Sequence, residues 1–228
     1  MTSSTPAIAA KTIAEQMDTL VSLGVPGLAG LSEAEFQALA PTEPGAFPAN
    51  SIPDASVQTP GPSGPVVVIS PQLVSASALT PLLSRVGKPG FVVTDMTDLA
   101  EFVPLKGMEI PESPLYLMDE VDRGDEFSNW SPDEALPVIT SRGRTAMTIN
   151  EGISWLLQYP ELLVPNFCFM TIASRKPKGK KLDSRTPALW ISGGTGRDGK
   201  ENKGAPKVGW CWAGNRHTWL GIASVGSR

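Results

Sequence analysis

The sequence predicts an α+β fold, with a C-terminal antiparallel sheet of about four strands packed with helices, preceded by a short β/α segment and an N-terminal helical hairpin. Three observations carry this expectation. Serine or threonine followed three residues later by glutamate, the reciprocal capping box that opens helices, occurs at Ser32, Ser131 and Thr148. A β-branched run too short for a helix, Val66-Val-Val-Ile69, lies between Pro65 and Pro71. After Pro165 the apolar period changes from helical to alternating, and strands that follow one another without helices pair antiparallel.

Along the chain, Ile13, Met17, Leu20 and Val21 form one helical face that Gly24 and Pro26 end. The Ser32-Glu-Ala-Glu35 box starts a second short helix at about Glu33, so residues 1–40 read as a helical hairpin bent at Val25-Pro-Gly. Residues 41–65 are rich in Pro, Gly, Ala, Ser and Thr and lack large apolar side chains to offset the entropy of ordering, which makes them a linker and 1–40 a detachable unit. Limited proteolysis is accordingly expected to cut first within 41–65; resistance there, with cleavage elsewhere, would refute the division. The remainder, 66–228, is expected to be one α+β globular domain. In it Val66-Val-Val-Ile69 is a strand, and Ser70-Pro71 opens a helix running to about Val86, stopped by Gly87 and Pro89-Gly90. Phe91-Val-Val93 is extended, Asp95 or Thr97 opens a helical turn, and Leu115-Tyr-Leu-Met118 is a strand. Two helices follow, the second amphipathic through Trp155, Leu156 and Tyr159, and then strands at 167–172, 188–191, 208–212 and 218–222.

Composition excludes more than it selects. No apolar run approaches the roughly 18 residues that span a bilayer, and no basic-then-apolar leader opens the chain. Two cysteines far apart make neither a disulfide framework nor a zinc knuckle, so a cytoplasmic protein with reduced thiols is expected, without metal or cofactor. The net charge of −4 divides unevenly: residues 1–165 carry seven basic and twenty acidic side chains, and 166–228 carry twelve basic and three acidic. The positive charge concentrates in 175–185 and 197–207, where no aromatic is interleaved, which fits solvated loops and not a nucleic-acid site.

The richest segment is Gly-Trp210-Cys211-Trp212-Ala-Gly-Asn215-Arg216-His217-Thr-Trp219-Leu-Gly, with three of six tryptophans, one of two cysteines and the only histidine within ten residues. Trp210 and Trp212 share a strand face and Cys211 takes the other. Such a cluster is either the densest part of a core or a floor on which a ring or an apolar partner stacks. Any imidazole-dependent chemistry must use His217, and a tight hairpin at 213–215 would bring Cys211 towards it. Asp119, Glu120, Asp122, Asp125 and Glu126 follow a predicted strand, but their spacing matches no cation loop. Gly194-Thr-Gly-Arg-Asp-Gly199-Lys200 fits a phosphate-loop pattern, yet Glu201 stands where Ser or Thr is needed and Gly204-Ala-Pro206 forestalls the following helix, so no nucleotide is expected there.

Several of these runs together resemble a family of uncharacterised cytoplasmic proteins of actinomycete bacteria, a domain of unknown function. They are Leu-Gly-Val-Pro-Gly-Leu-Ala-Gly-Leu-Ser-Glu-Ala-Glu-Phe36, Asp122-Arg-Gly-Asp-Glu-Phe127, Pro132-Asp-Glu-Ala-Leu-Pro137, Gly143-Arg-Thr145, Thr148-Ile-Asn-Glu-Gly152, Pro187-Ala-Leu-Trp-Ile-Ser192 and the tryptophan-rich tail. The resemblance covers about 11–40 and 64–228. It implies no activity, cofactor or catalytic residue; it implies shorter loops at 176–184 and 194–204, and proline in place of Arg216. Two functions follow from the residues themselves. One is a non-catalytic binding module that meets a small molecule or protein through Trp210, Trp212, His217 and Trp219. The other is a small-molecule enzyme with His217 as acid/base, partnered by Cys211 or a carboxylate of Asp122 or Asp125.

Overall fold

A computed structural model describes residues 8–42 and 64–228, so most of the expected linker lies outside the described residues. The fold is α+β. Three short helices open it: α1 (Ile13–Ser22), α2 (Val25–Ala29) and α3 (Glu33–Gln37). The expected bend at Val25 is thus itself a helical turn, with Gly24 left-handed at φ 81° before it and Pro26 where a missing N–H costs nothing. Reciprocal capping boxes start α1 at Thr12–Glu15 and α3 at Ser32–Glu35. Met17, Leu20, Val25 and Phe36 are buried in the same apolar cluster as the rest of the chain.

Strand β1 (Val66–Ile69) pairs antiparallel with β3 (Leu115–Met118), and all eight residues are buried. The other edge of β1 meets side chains in place of a strand. The Gln16 carboxamide donates to the Pro65 carbonyl and accepts from the Val67 N–H at 2.8 Å; Ser154 Oγ accepts from the Ile69 N–H at 3.0 Å, and Asn150 Nδ2 donates to the Ile69 carbonyl at 3.0 Å.

The helix expected from Ser70 to about Val86 is much shorter. Ser70 closes only a local turn, its Oγ accepting from the Gln72 N–H, while Ser75 caps α4 (Ala76–Leu79), extended by one 3-10 turn at Thr80–Leu82. Pro81 sits inside that 3-10 turn with no N–H to carry the hydrogen-bond ladder on, and the chain turns extended at Leu83, ψ 140°. A two-residue turn with positive φ at both Val86 and Gly87 then joins the ribbon Ser84–Arg85 to Lys88–Pro89.

All four strands expected in the C-terminal part are present: β5 (Cys168–Met170), β6 (Arg185–Ile191), β7 (Pro206–Trp212) and β8 (Leu220–Ile222). They join one sheet with β2 (Phe91–Val92) in the order β8-β5-β6-β7-β2. β5, β6 and β7 are antiparallel neighbours, whereas β2 joins β7 in parallel and β8 joins β5 in parallel. Residues 213–219 therefore form no tight hairpin; they cross the end of the sheet to its far edge.

Between this sheet and β1 lies α6 (Ile149–Gln158), buried along its whole length. Amphipathic periodicity left its polar side facing water, but that side is enclosed. Glu151 Oε1 accepts from the Tyr116 hydroxyl at 3.0 Å, and Glu151 Oε2 from the Thr148 N–H at 2.7 Å and Arg228 Nη2 at 3.0 Å. Burial pushes the Glu151 carboxyl upward, but the charge and hydrogen bonds of Arg228 outweigh it and the carboxyl stays below its ordinary range. Arg228 also donates to the Ala146 carbonyl, beside the ribbon of β4 (Thr145–Ala146) and β9 (Ser224–Val225). Gly152 lets α6 approach the sheet, since a Cβ there would lie 2.7 Å from Thr171 Cγ2 and 2.8 Å from Leu189 Cδ1.

Candidate functional site

The register of β6 and β7 sorts the tail residues onto two faces. Arg185 opposes Trp212 and Pro187 opposes Trp210 on one face; Thr186 opposes Cys211 and Trp190 opposes Lys207 on the other. Trp210 and Trp212 touch at 4.6 Å between ring centroids. Under Trp210 lies the Arg185 guanidinium, 5.9 Å from its ring and 5.3 Å from that of Phe102, and hydrogen-bonded to both Asp98 and Asp183. α6 covers the part of this face around Leu189 and Phe169, where Trp155 stacks on Phe169 at 5.5 Å. Trp212 lies beyond that cover, 44% exposed.

On the opposite face Trp190 lies over Gly209, where a Cβ would come within 2.7 Å of its ring, and Lys207 Nζ stands 4.8 Å above it. Trp190 meets Trp219 at 6.0 Å, and Trp219 meets His217 at 5.6 Å. The four tail residues therefore form two aromatic groups separated by the sheet, each with half-buried rings.

His217 and Cys211 share no hydrogen bond: the segment that carries His217 runs on to β8 at the far edge and does not turn back beside β7. Burial pushes the Cys211 thiol up to about 12, leaving it protonated and unreactive at neutral pH. Burial lowers the pKa of His217, which is neutral near pH 7, and its Nε2 is enclosed without a hydrogen-bond partner. Asp122 Oδ1 accepts from the Gly124 N–H at 2.6 Å, and burial raises its carboxyl; Asp125 forms a two-point ion pair with Arg123. The remaining acidic residues diverge: Glu126 pairs with Arg142 and Glu120 with Arg144. Among the described residues no group of three or more His, Cys, Asp and Glu is placed to hold a metal ion.

In the segment 194–200 two 3-10 turns, Gly196–Asp198 and Lys200–Asn202, stand where a phosphate loop would continue into a helix. Asp198 is committed to Ser192 Oγ at 2.9 Å and Lys207 Nζ at 2.6 Å. The basic segments are likewise partly neutralised, Lys176 by Asp98 and Glu101 and Arg197 by Asp95.

The Asp98–Arg185 pair makes acid stability testable. Hydrogen bonding to Arg185 holds the Asp98 carboxyl down at about 2 against its own burial. A carboxyl lowered on folding stabilises the protein above its unfolded pKa of about 4, and that contribution disappears as pH falls towards 2. Asp98→Asn should lower the urea midpoint at pH 6, and its deficit against the wild type should shrink at pH 3. An equal deficit at both values would contradict the assignment.

Sequence reasoning missed the hollow next to this region. Ser128, Asn129, Trp130, Glu134 and Arg216 line a cavity of about 320 Å³. It forms where the crossing segment 213–219 meets the start of α5 (Pro132–Ser141). The Asp133 N–H donates to the Ala213 carbonyl, the Asn129 N–H to the His217 carbonyl at 2.8 Å, and Ser128 Oγ to the Thr218 carbonyl at 2.8 Å. Arg216 pairs with Glu134, Nε to Oε2 at 3.0 Å, and Glu134 also closes the capping box with Ser131. Trp130 is 39% exposed, its ring in edge contact with buried Phe127 at 5.7 Å. The box at Ser131 marked the helix, but no local pattern announces that residue 216 returns to it.

The architecture is that of an α+β protein with a pocketed, aromatic end on its principal sheet. The chain belongs to DUF5701, a family of unknown function, which it matches over residues 19–228. No curated protein and no solved structure matches it.

Proposed function

We propose that this protein is a non-catalytic binding module whose site is the end of the sheet where the segment 212–219 meets α5. The observation that carries the reading is the cavity of about 320 Å³ bordered by Trp130 and closed by the Glu134–Arg216 pair. It falls at the lower end of the 300–1,000 Å³ of small-molecule sites. In this reading the ligand seated against Trp130 also meets the sheet end outside the cavity's own lining, at Trp212 braced by Trp210 on one face and at His217 braced by Trp219 on the other. The chemistry of the neighbouring groups supports binding over catalysis. The imidazole has neither thiol nor carboxylate to work with, the thiol is protonated, and the nearest carboxylates are spent on arginine or backbone. A small molecule or a protein segment presenting a ring fits the site. Among the described residues no helix is long and apolar enough to cross a membrane, and the unpaired thiols of Cys168 and Cys211 agree with a cytoplasmic setting.

Trp212→Ala, Trp130→Ala and His217→Ala test the reading together. The Trp130 and Trp212 rings are substantially exposed and His217 is half-buried with an unmet Nε2, so each variant should melt within about 4 °C of the wild type, about 1 kcal/mol in a chain of this size. Metabolite profiling by ligand-observed NMR should show a ligand bound by the wild type and released by Trp130→Ala or Trp212→Ala. Variants that fold and keep every interaction of the wild type would overturn the proposal.

A further inference from the structure

We infer that the pocket beside His217 takes a neutral, polyhydroxylated ring, a sugar residue; this deepens the binding-module reading and rests on it. Charge comes first. The two ionic groups that line the pocket, Glu134 and Arg216, are paired with each other, so its walls carry no net charge to attract a phosphate or an ammonium group. The pair stays ionised under all ordinary conditions, because Arg216 and the Ser131 cap hold the Glu134 carboxyl down at about 2.

Hydrogen-bonding capacity comes second. Glu134 Oε2 is saturated by the Ser131 N–H, the Ser131 hydroxyl and Arg216 Nε, whereas Oε1 meets only Arg216 Nη2 and keeps a free lone pair. The Asn129 side chain, exposed at the pocket, makes no hydrogen bond among the described residues and offers both a donor and an acceptor. Asn129 holds φ at 66°, a left-handed conformation that asparagine tolerates better than most residues. The wall thus offers free acceptors at Glu134 Oε1 and at the Asn129 carboxamide, and a free donor at that same carboxamide. Adjacent hydroxyls, each of which donates and accepts at once, complete such a wall without leaving an unpaired group.

The third feature is the platform. The Trp130 indole lines the pocket, braced at one edge by Phe127, which is itself covered by the Arg142 guanidinium at 5.4 Å. A pyranose presents an apolar C–H face to such a ring and turns its hydroxyls outward to the polar wall. The pocket's volume suits a single ring with the rest of an oligosaccharide running out into solvent.

The test titrates the full chain with maltotriose, cellotriose, xylotriose, mannotriose and the N-acetylglucosamine trimer, following tryptophan fluorescence and ligand NMR. Adenosine, glucose 6-phosphate and spermidine serve as ring, anionic and cationic counter-probes. At least one neutral trisaccharide should bind saturably. Trp130→Ala should weaken it tenfold or more, and Asn129→Gly, which keeps the left-handed backbone, should weaken it severalfold with the melting temperature preserved. Binding of no trisaccharide, or binding that Trp130→Ala leaves intact, overturns the inference. A counter-probe that binds and is lost in Trp130→Ala overturns the sugar assignment while sustaining the binding module. A wild type that binds neither these probes nor any profiled metabolite removes both.

Discussion

Arg228→Met is expected to destabilise the protein by about 3–5 kcal/mol, because it leaves a buried carboxylate without its counter-charge. Glu151 is fully buried, and among the described residues Arg228 is the only cation that bonds it. At about 2–4 °C per kcal/mol for a chain of this size, the melting temperature should fall by roughly 6–20 °C. The loss should depend on pH in a distinctive direction. With Arg228 present the folded-state pKa of Glu151 is lowered; without it burial, the largest influence, is opposed only by the hydrogen bonds from Thr148 and Tyr116, and that pKa should rise above the unfolded value. A raised carboxyl binds protons preferentially in the folded state, so the deficit should shrink as the solution is taken from pH 7 to pH 5. The double variant Glu151→Gln/Arg228→Met should recover most of the stability, since removing both charges removes the desolvation cost that the single variant exposes. Thermal and urea unfolding of the three proteins at the two pH values decide the matter; a single variant as stable as the wild type would show that the pair contributes nothing.

Trp155→Ala is expected to cost a comparable amount, about 3–5 kcal/mol, through the large cavity it opens. The indole is 1% exposed and packs on Phe169, so no solvent can refill the space it leaves. The partner variant makes the test specific. The Trp155 Nε1–H is buried without an acceptor, and the unmet donor is itself a cost. Trp155→Phe forfeits part of the packing and removes that cost as well, so it should lose no more than about half of what the alanine variant loses. Denaturant midpoints with unchanged slopes provide the measurement. Equal losses for phenylalanine and alanine would mean that the ring's size, and not its unmet donor, dominates the site.

What could be read in the chain beforehand was whatever depends on neighbours in sequence. The boxes at Ser32, Ser131 and Thr148 each cap the helix they announced, since a capping box needs only four consecutive residues. Alternation located β5 to β8 for the same reason. The helix foreseen at Ser70 failed at its own start, where Ser70 closes a local turn and Ser75 becomes the cap. Other features were beyond local pattern. Helical periodicity could assign Glu151 to a polar face, but not reveal that Tyr116 and Arg228 would enclose that face. Nor did the tail motif show that β8 would leave β7 for the far edge, which carries His217 away from Cys211. The pocket has the same origin, because Glu134 and Arg216 lie 82 positions apart and meet only through that crossing.

The side chains set along β1 have a consequence for how copies of this chain behave towards one another. A row of open backbone groups on a strand is a template to which a second chain can add, the first step of edge-to-edge aggregation. Here Gln16, Ser154 and Asn150 occupy those groups at Pro65, Val67 and Ile69, from two different helices. Val66-Val-Val-Ile69, uncharged and strongly β-forming, has the composition of a segment that stacks readily once uncovered. α1 thereby acts as a guard as well as a packing element: a lesion that loosens it exposes an adhesive strand, and the harm appears as insolubility before the rest of the fold gives way.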